Sequence, residues 1–85
     1  MKIIYSPKFA REYKKLPPEI KDRAEKAEKL FRQNPFNPLL ETHKLEGKLK
    51  NFWAFSIGYR YRIIFEFENK NIIYFHSVGD HSIYK

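Results

Sequence analysis

The apolar residues of this chain change period once, and that change limits the fold more than anything else in the sequence. Phe9, Tyr13 and Leu16, then Ile20, Ala24, Ala27 and Leu30, recur at spacings of three and four, as one face of a helix requires. From Trp53 onward the repeat is two. Trp53, Phe55 and Ile57 alternate with Phe52, Ala54 and Ser56, and Tyr61, Ile63, Phe65 and Phe67 alternate with Arg60, Arg62, Ile64 and Glu66. Helices first and a strand meander afterwards predict an α+β domain.

Punctuation sets the element borders. Lys2 to Tyr5 is a short β-rich run, and Ser6-Pro7 starts a helix, the serine as cap and the proline tolerated in the first turn. Pro17-Pro18 divides the helical part in two, and Asn34-Pro35 closes it. Residues 34–47 contain two prolines and a glycine, so an ordered crossing loop without regular structure is expected there. Gly58-Tyr59 and the turn around Asn69-Lys70 separate three strands, the last running from Asn71 to Val78. The expected order is β-α-α-β-β-β: a helical hairpin on one face of a mainly antiparallel four-stranded sheet, as a single domain over residues 1–85. Trp53 and Phe55 are expected in the core, and His76, grouped with Ile72, Tyr74 and Val78, as a structural residue.

Eighty-five residues support one modest core, and with 42% apolar and 18% aromatic residues that core is built of rings. The chain has no cysteine, which excludes a disulfide framework and a thiolate metal site. It lacks the long apolar stretch of a signal peptide or membrane helix, so a cytoplasmic location away from membranes is expected. Seventeen basic against ten acidic residues give a formal charge of +7, which favours a polyanion such as nucleic acid and would equally suit an acidic protein. The strands carry rings on both faces, yet two helices cover only one. The other face, which also holds arginine, must be exposed, covered by a loop or tail, or occupied by a partner.

The element order, an H-x-L-x-G segment (His43 to Gly47), the strand Tyr61-Arg62-Ile63-Ile64-Phe65 and the terminal V-G-D-H-x-x-Y (Val78 to Tyr84) together resemble the RelE/ParE toxin superfamily over essentially the whole chain. The resemblance implies one of two activities. Its RelE, YoeB and YafQ branches cut messenger RNA in the ribosomal A site, whereas its ParE branch poisons DNA gyrase and is not a nuclease. The terminal H-x-x-Y favours the cutting branches. Likeness to YafQ maps catalytic histidines onto His43 and His81, likeness to RelE and YoeB maps a phosphate-binding arginine onto Arg62, and Tyr84 fits a terminal aromatic role. Ser56 and Arg60 stand where YafQ has a further histidine and an aspartate. Leu39 or Leu40 falls near the YoeB glutamate, with Glu41 and Glu46 a little downstream.

RNA cleavage by attack of the 2′-hydroxyl needs a proton taken, a proton given and negative charge stabilised, with no metal and no small-molecule cofactor. His81 suits the general acid, because imidazole titrates near neutrality. Arg62 offers phosphate a permanently charged fork. The base is His43, Glu46, or one of Lys44, Lys48 and Lys50. Lys44, Lys48, Lys50 and Arg60 are candidate RNA contacts, and Tyr61 and Tyr84 are candidates for stacking on bases or orienting the phosphate. Plainer readings stand beside these: a turn histidine at His81, a solvated loop histidine at His43, and an Arg62 that pairs with Glu66 on its own face.

The expected partners are a cognate antitoxin, the ribosome and messenger RNA. An acidic antitoxin segment would find both an apolar anchor and complementary charge on this surface. A gyrase-binding toxin and a non-catalytic RNA-binding module are the alternatives.

Overall fold

A computed structural model describes residues 1–80 and Ile83. β1 (Lys2–Tyr5) leads into α1 (Pro7–Lys14), and α2 spans Pro18–Gln33. Ser6 makes the strand-to-helix corner in two ways. Its Oγ accepts from the Phe9 backbone N–H at 2.9 Å, capping α1, and donates to the His76 carbonyl at 2.8 Å, tying the cap to the sheet. Arg11 and Lys14 in the last turn of α1 complement the helix dipole.

The remaining strands are β2 (His43–Lys44), β3 (Trp53–Gly58), β4 (Tyr61–Phe67) and β5 (Ile72–Gly79). They form one sheet of five strands in the order β1-β5-β4-β3-β2, with β1 parallel to β5 and every other pair antiparallel. The α+β architecture expected from the sequence is present, with one strand more than the four expected. That strand, β2, lies in the segment expected to lack regular structure. Asn34 and Asn37 accept from the backbone N–H groups of Phe36 and Leu39, Thr42 Oγ1 donates to the Pro35 carbonyl, and Leu40 is fully buried. So anchored, the loop lays His43 and Lys44 along the free edge of β3. Two residues are too few for alternation to show in a sequence.

α1 and α2 cover one face of the sheet. Phe31 of α2 is the centre of that core, 4.7 Å from Phe55, 4.9 Å from Phe65 and 5.5 Å from Phe75 between ring centroids. Phe55 is fully buried, while Trp53 is half-buried and packs edge-on against Phe36 and Phe67. In β5, Phe75 pairs with Phe65 and Ser77 with Ile64, so His76 is the extra residue of a bulge. The bulge reverses the alternation. Val78 therefore belongs to the helix-covered core and not, as expected, to the face of Ile72 and Tyr74.

β1 stops short of the end of β5, and Glu12 of α1 takes over there. Its Oε1 accepts from Ser77 Oγ at 2.7 Å and from the Val78 backbone N–H at 3.1 Å. An exposed strand edge is thereby closed by a side chain. No helix among the described residues is long and apolar enough to cross a membrane.

Candidate active site on the open face of the sheet

The face away from the helices is defined by cross-strand register. His43 pairs with Ala54, Ala54 with Ile64, and Ser56 with Arg62, which in turn pairs with Gly79. Residues paired across a sheet share a face. His43 and Arg62 therefore project to the same side, two strands and two residues apart, about 12 Å between their Cα positions.

Each of the two is oriented by its own turn. Glu41 ends the short 3₁₀ turn Pro38–Leu40 in the left-handed region, at φ 51°. Its carbonyl lies 3.0 Å from His43 Nδ1. A carbonyl can only accept, so Nδ1 carries the proton, and in the neutral ring Nε2 keeps its lone pair. His43 is exposed and held in the tautomer that a general base needs.

Arg62 is braced by the β3–β4 hairpin. Its Nη1 donates to Ser56 Oγ at 3.2 Å, to the Tyr59 carbonyl at 3.3 Å and to the Tyr61 carbonyl at 2.9 Å. Glu66 is not its partner. That carboxylate takes His76 instead, with Oε1 3.0 Å from Nε2. The Arg62 guanidinium thus leans toward β3, the strand between it and His43, with only Nη1 engaged among the described residues. The hairpin is itself fixed from α2. Gly58 has φ 114°, and a Cβ there would lie 2.9 Å from Arg23 Cδ, while the Arg23 guanidinium sits 4.4 Å over the Tyr59 ring.

The other expected residues divide. Lys44 on β2, Lys48 and Lys50 around the 3₁₀ turn Gly47–Leu49, and Arg60 in the hairpin turn are all exposed. Salt bridges among the described residues join Asp22 to Lys26 and Glu28 to Arg32, Glu66 is hydrogen-bonded to His76, and none of these takes up the four cations. Glu46 is exposed beside Gly47. Tyr61 requires a correction. It is half-buried against the core cluster, on the face opposite Arg62, and so cannot stack a base beside that guanidinium. His81 and Tyr84 lie outside the described residues. Ile83 is described, and a Cβ on Gly79 would come within 2.6 Å of its Cγ2. Gly79 pairs with Arg62, so Ile83 is held at the Arg62 end of the open face.

Sequence reasoning missed a second group on this face. Phe52, Glu66, Tyr74 and His76 form a cluster across β5, β4 and the start of β3. The bulge that places His76 left no trace in the sequence.

On the opposite side of the molecule, a groove of about 690 Å³ runs between α1 and α2, floored by Phe9, Tyr13, Ala24 and Ile63. At its end Tyr5 Oη donates to Glu28 Oε2 at 2.9 Å. Burial first, then this carboxylate, holds the Tyr5 phenol above its ordinary pKa. Burial likewise raises that of Tyr13. The groove is distant in the fold from His43 and Arg62 and belongs to a different surface.

A helical hairpin backs one face of a five-stranded sheet, an architecture shared with solved structures of small toxins. The chain is similar to the YoeB/ParE toxin from Agrobacterium tumefaciens, with a TM-score of 0.80, 14% identity and coverage of 95% of this chain and 99% of that one. YafQ from E. coli strain BL21(DE3) aligns with a TM-score of 0.80 at 17% identity, over 96% of this chain and 94% of that one. The RelB-RelE antitoxin-toxin complex from Methanococcus jannaschii contains a chain that is 28% identical, with a TM-score of 0.72 and coverage of 95% and 94%. No curated protein matches the sequence. A family model described as ParE toxin of type II toxin-antitoxin system, parDE, matches residues 3–83. The chain belongs to this family and is a toxin of the RelE/ParE superfamily.

Proposed function

We propose that this toxin is a metal-independent endoribonuclease that cuts messenger RNA in the ribosomal A site. The observation that carries this reading is the shared projection of His43 and Arg62 from the open face, with His43 Nδ1 directed at the Glu41 carbonyl. His43 Nε2 takes the proton of the 2′-hydroxyl as the 2′-oxygen attacks phosphorus. The bond from phosphorus to the 5′-oxygen breaks, and that oxygen receives a proton from His81. The products are a 2′,3′-cyclic phosphate and a 5′-hydroxyl. Arg62 neutralises the charge that builds on the non-bridging oxygens. Lys48, Lys50 and Arg60 line the approach as phosphate contacts and Tyr84 orients the substrate, whereas Lys44, paired with Trp53, projects to the face opposite His43.

The partners in this reading are the ribosome with its messenger and a cognate antitoxin, and the location is cytoplasmic. An antitoxin is supported by the family and by the RelB-RelE complex, and the net charge of +7 suits an acidic chain. The family model carries the parDE name, which keeps gyrase poisoning as the second reading. One comparison separates the two. Purified protein is incubated with translating ribosomes and messenger, and in parallel with gyrase and supercoiled DNA, each repeated with His81→Ala. Cleaved messenger that is lost in the variant supports the nuclease. Intact messenger together with inhibited gyrase supports the alternative.

A further inference from the structure

The open face carries a group of side chains that the reaction above does not use. Glu66 on β4, Tyr74 and His76 on β5, and Phe52 just before β3 meet there. Glu66 pairs with Tyr74 across β4 and β5, and Phe52 immediately precedes Trp53, the partner of Phe65. The His76 ring stacks on Tyr74 with centroids 5.4 Å apart and planes within 14°, and lies 4.7 Å from the Phe52 ring. Its Nε2 is 3.0 Å from Glu66 Oε1. Both members of this pair keep about a third of their side-chain surface open, 32% and 34%.

Three features make this more than a cross-strand packing cluster. The rings cluster on the face that α1 and α2 leave open, Tyr74 and His76 stacked on each other and Phe52 tilted at 50° to His76, and an outer aromatic face of this kind binds a nucleobase through stacking. The carboxylate is fixed by His76 through Oε1, and among the described residues Oε2 is not engaged. A carboxylate repels phosphate but accepts from the exocyclic amino group on a base edge, which uracil lacks. The bulge at His76 exists in addition to the pairing of β4 and β5 and re-aims a side chain on the face of the candidate site.

We propose that one nucleobase of the bound RNA stacks on the outer face of the aromatic cluster formed by Phe52, Tyr74 and His76, and that Glu66 selects bases bearing an exocyclic amino group over uracil. This assignment rests on the nuclease reading. Glu66 and Arg62 lie four residues apart on one face of β4, about 13 Å along the strand, so the base read here neighbours the phosphate at Arg62 and is not itself at the cut. His76 is a positioning residue that holds the carboxylate edge-on to the base.

Two measurements test it. In the first, ribosomes are programmed with messengers that differ only in one A-site codon position, bearing U, C, A or G in turn, and cuts are mapped by primer extension. Wild type is expected to cut the amino-bearing codons at least about tenfold faster than the uracil ones. Glu66→Gln levels this preference, Phe52→Ala slows all codons alike, and His76→Ala weakens the preference without abolishing cleavage. A preference unchanged in Glu66→Gln overturns the proposal, leaving the cluster structural.

The second measurement does not depend on cleavage. Cytidine 5′-monophosphate and uridine 5′-monophosphate are titrated onto the protein while the His76 and Phe52 ring protons are followed by NMR. Cytidine monophosphate should shift both rings at several-fold lower concentration than uridine monophosphate, and Glu66→Gln should erase that difference. Ring shifts without any cleavage of messenger would overturn the nuclease reading and keep the base subsite. Cleavage with undisturbed rings would do the reverse.

Discussion

Arg62 Nη1 donates to Ser56 Oγ across the β3–β4 pair at 3.2 Å, and the same nitrogen reaches two carbonyls of the hairpin. The arginine assigned to phosphate is thus also a brace for its own turn, and its two roles separate by substitution. Arg62→Lys keeps the charge but loses the planar fork. Its cleavage rate should fall by about 10²–10³, the usual cost of removing one transition-state donor. Its melting temperature should change little, and measuring both on one sample checks the assignment. A matching loss of stability and rate would reduce Arg62 to the brace alone.

Glu41 acts through its backbone. Its carbonyl, aimed by the left-handed φ of 51°, faces His43 Nδ1, so the carboxylate is dispensable. Glu41→Gly, which adopts this conformation readily, should cut RNA at close to the wild-type rate. His43→Ala should lose about 10²–10⁴ of it, the range of a general base. Single-turnover kinetics of both variants tell a carbonyl role from a carboxylate role, and a strong loss in Glu41→Gly would assign a role to the Glu41 carboxylate.

Phe31 is the hub of the aromatic core and is wholly buried. Phe31→Ala should cost roughly 3–5 kcal/mol, because Phe55, Phe65 and Phe75 cannot all collapse into the space it leaves. Urea unfolding gives this number directly. A cost under about 1 kcal/mol would mean that the helices do not pack as described.

Tyr5 contributes, with Tyr13, to the alkaline limb of stability. Its phenol pKa is raised in the folded chain, first by burial and then by the hydrogen bond to Glu28, so the folded state disfavours ionisation. The stabilisation is therefore complete below the unfolded value near pH 10 and is lost as pH rises through the higher folded value. Tyr5→Phe should remove this component of the stability loss above about pH 10, as read from melting temperatures across that range. Identical alkaline profiles for variant and wild type would contradict it.

Much of this fold is legible in the period of its apolar residues. Phe9, Tyr13 and Leu16 gave one helix, Ile20 to Leu30 the other, and the alternation after Trp53 gave the meander, because each pattern spans several turns or pleats. That alternation also placed Tyr61 on the face opposite Arg62, although the capacity of its ring to stack on bases drew it into the candidate site. The fifth strand was hidden because His43 and Lys44 owe their pairing to Leu40, Asn34 and Asn37, which act through a loop. The bulge at His76 was hidden because register is a property of two strands together, and neither Ile64 nor Ser77 signals it alone. For the candidate site, the types of residue were readable and their company was not. Arg62 stood out, but its bond to Ser56 and the diversion of Glu66 to His76 depend on tertiary placement.

The most direct test of the central claim is the chemistry of the new 3′ ends when the wild-type toxin acts on messenger bound to translating ribosomes. End-specific ligation and phosphatase sensitivity should reveal a 2′,3′-cyclic phosphate opposite a 5′-hydroxyl, diminished together in His43→Ala and Arg62→Lys. Fragments ending in a 3′-hydroxyl, or a messenger left whole at toxin concentrations that arrest growth, would contradict internal attack guided by these two side chains.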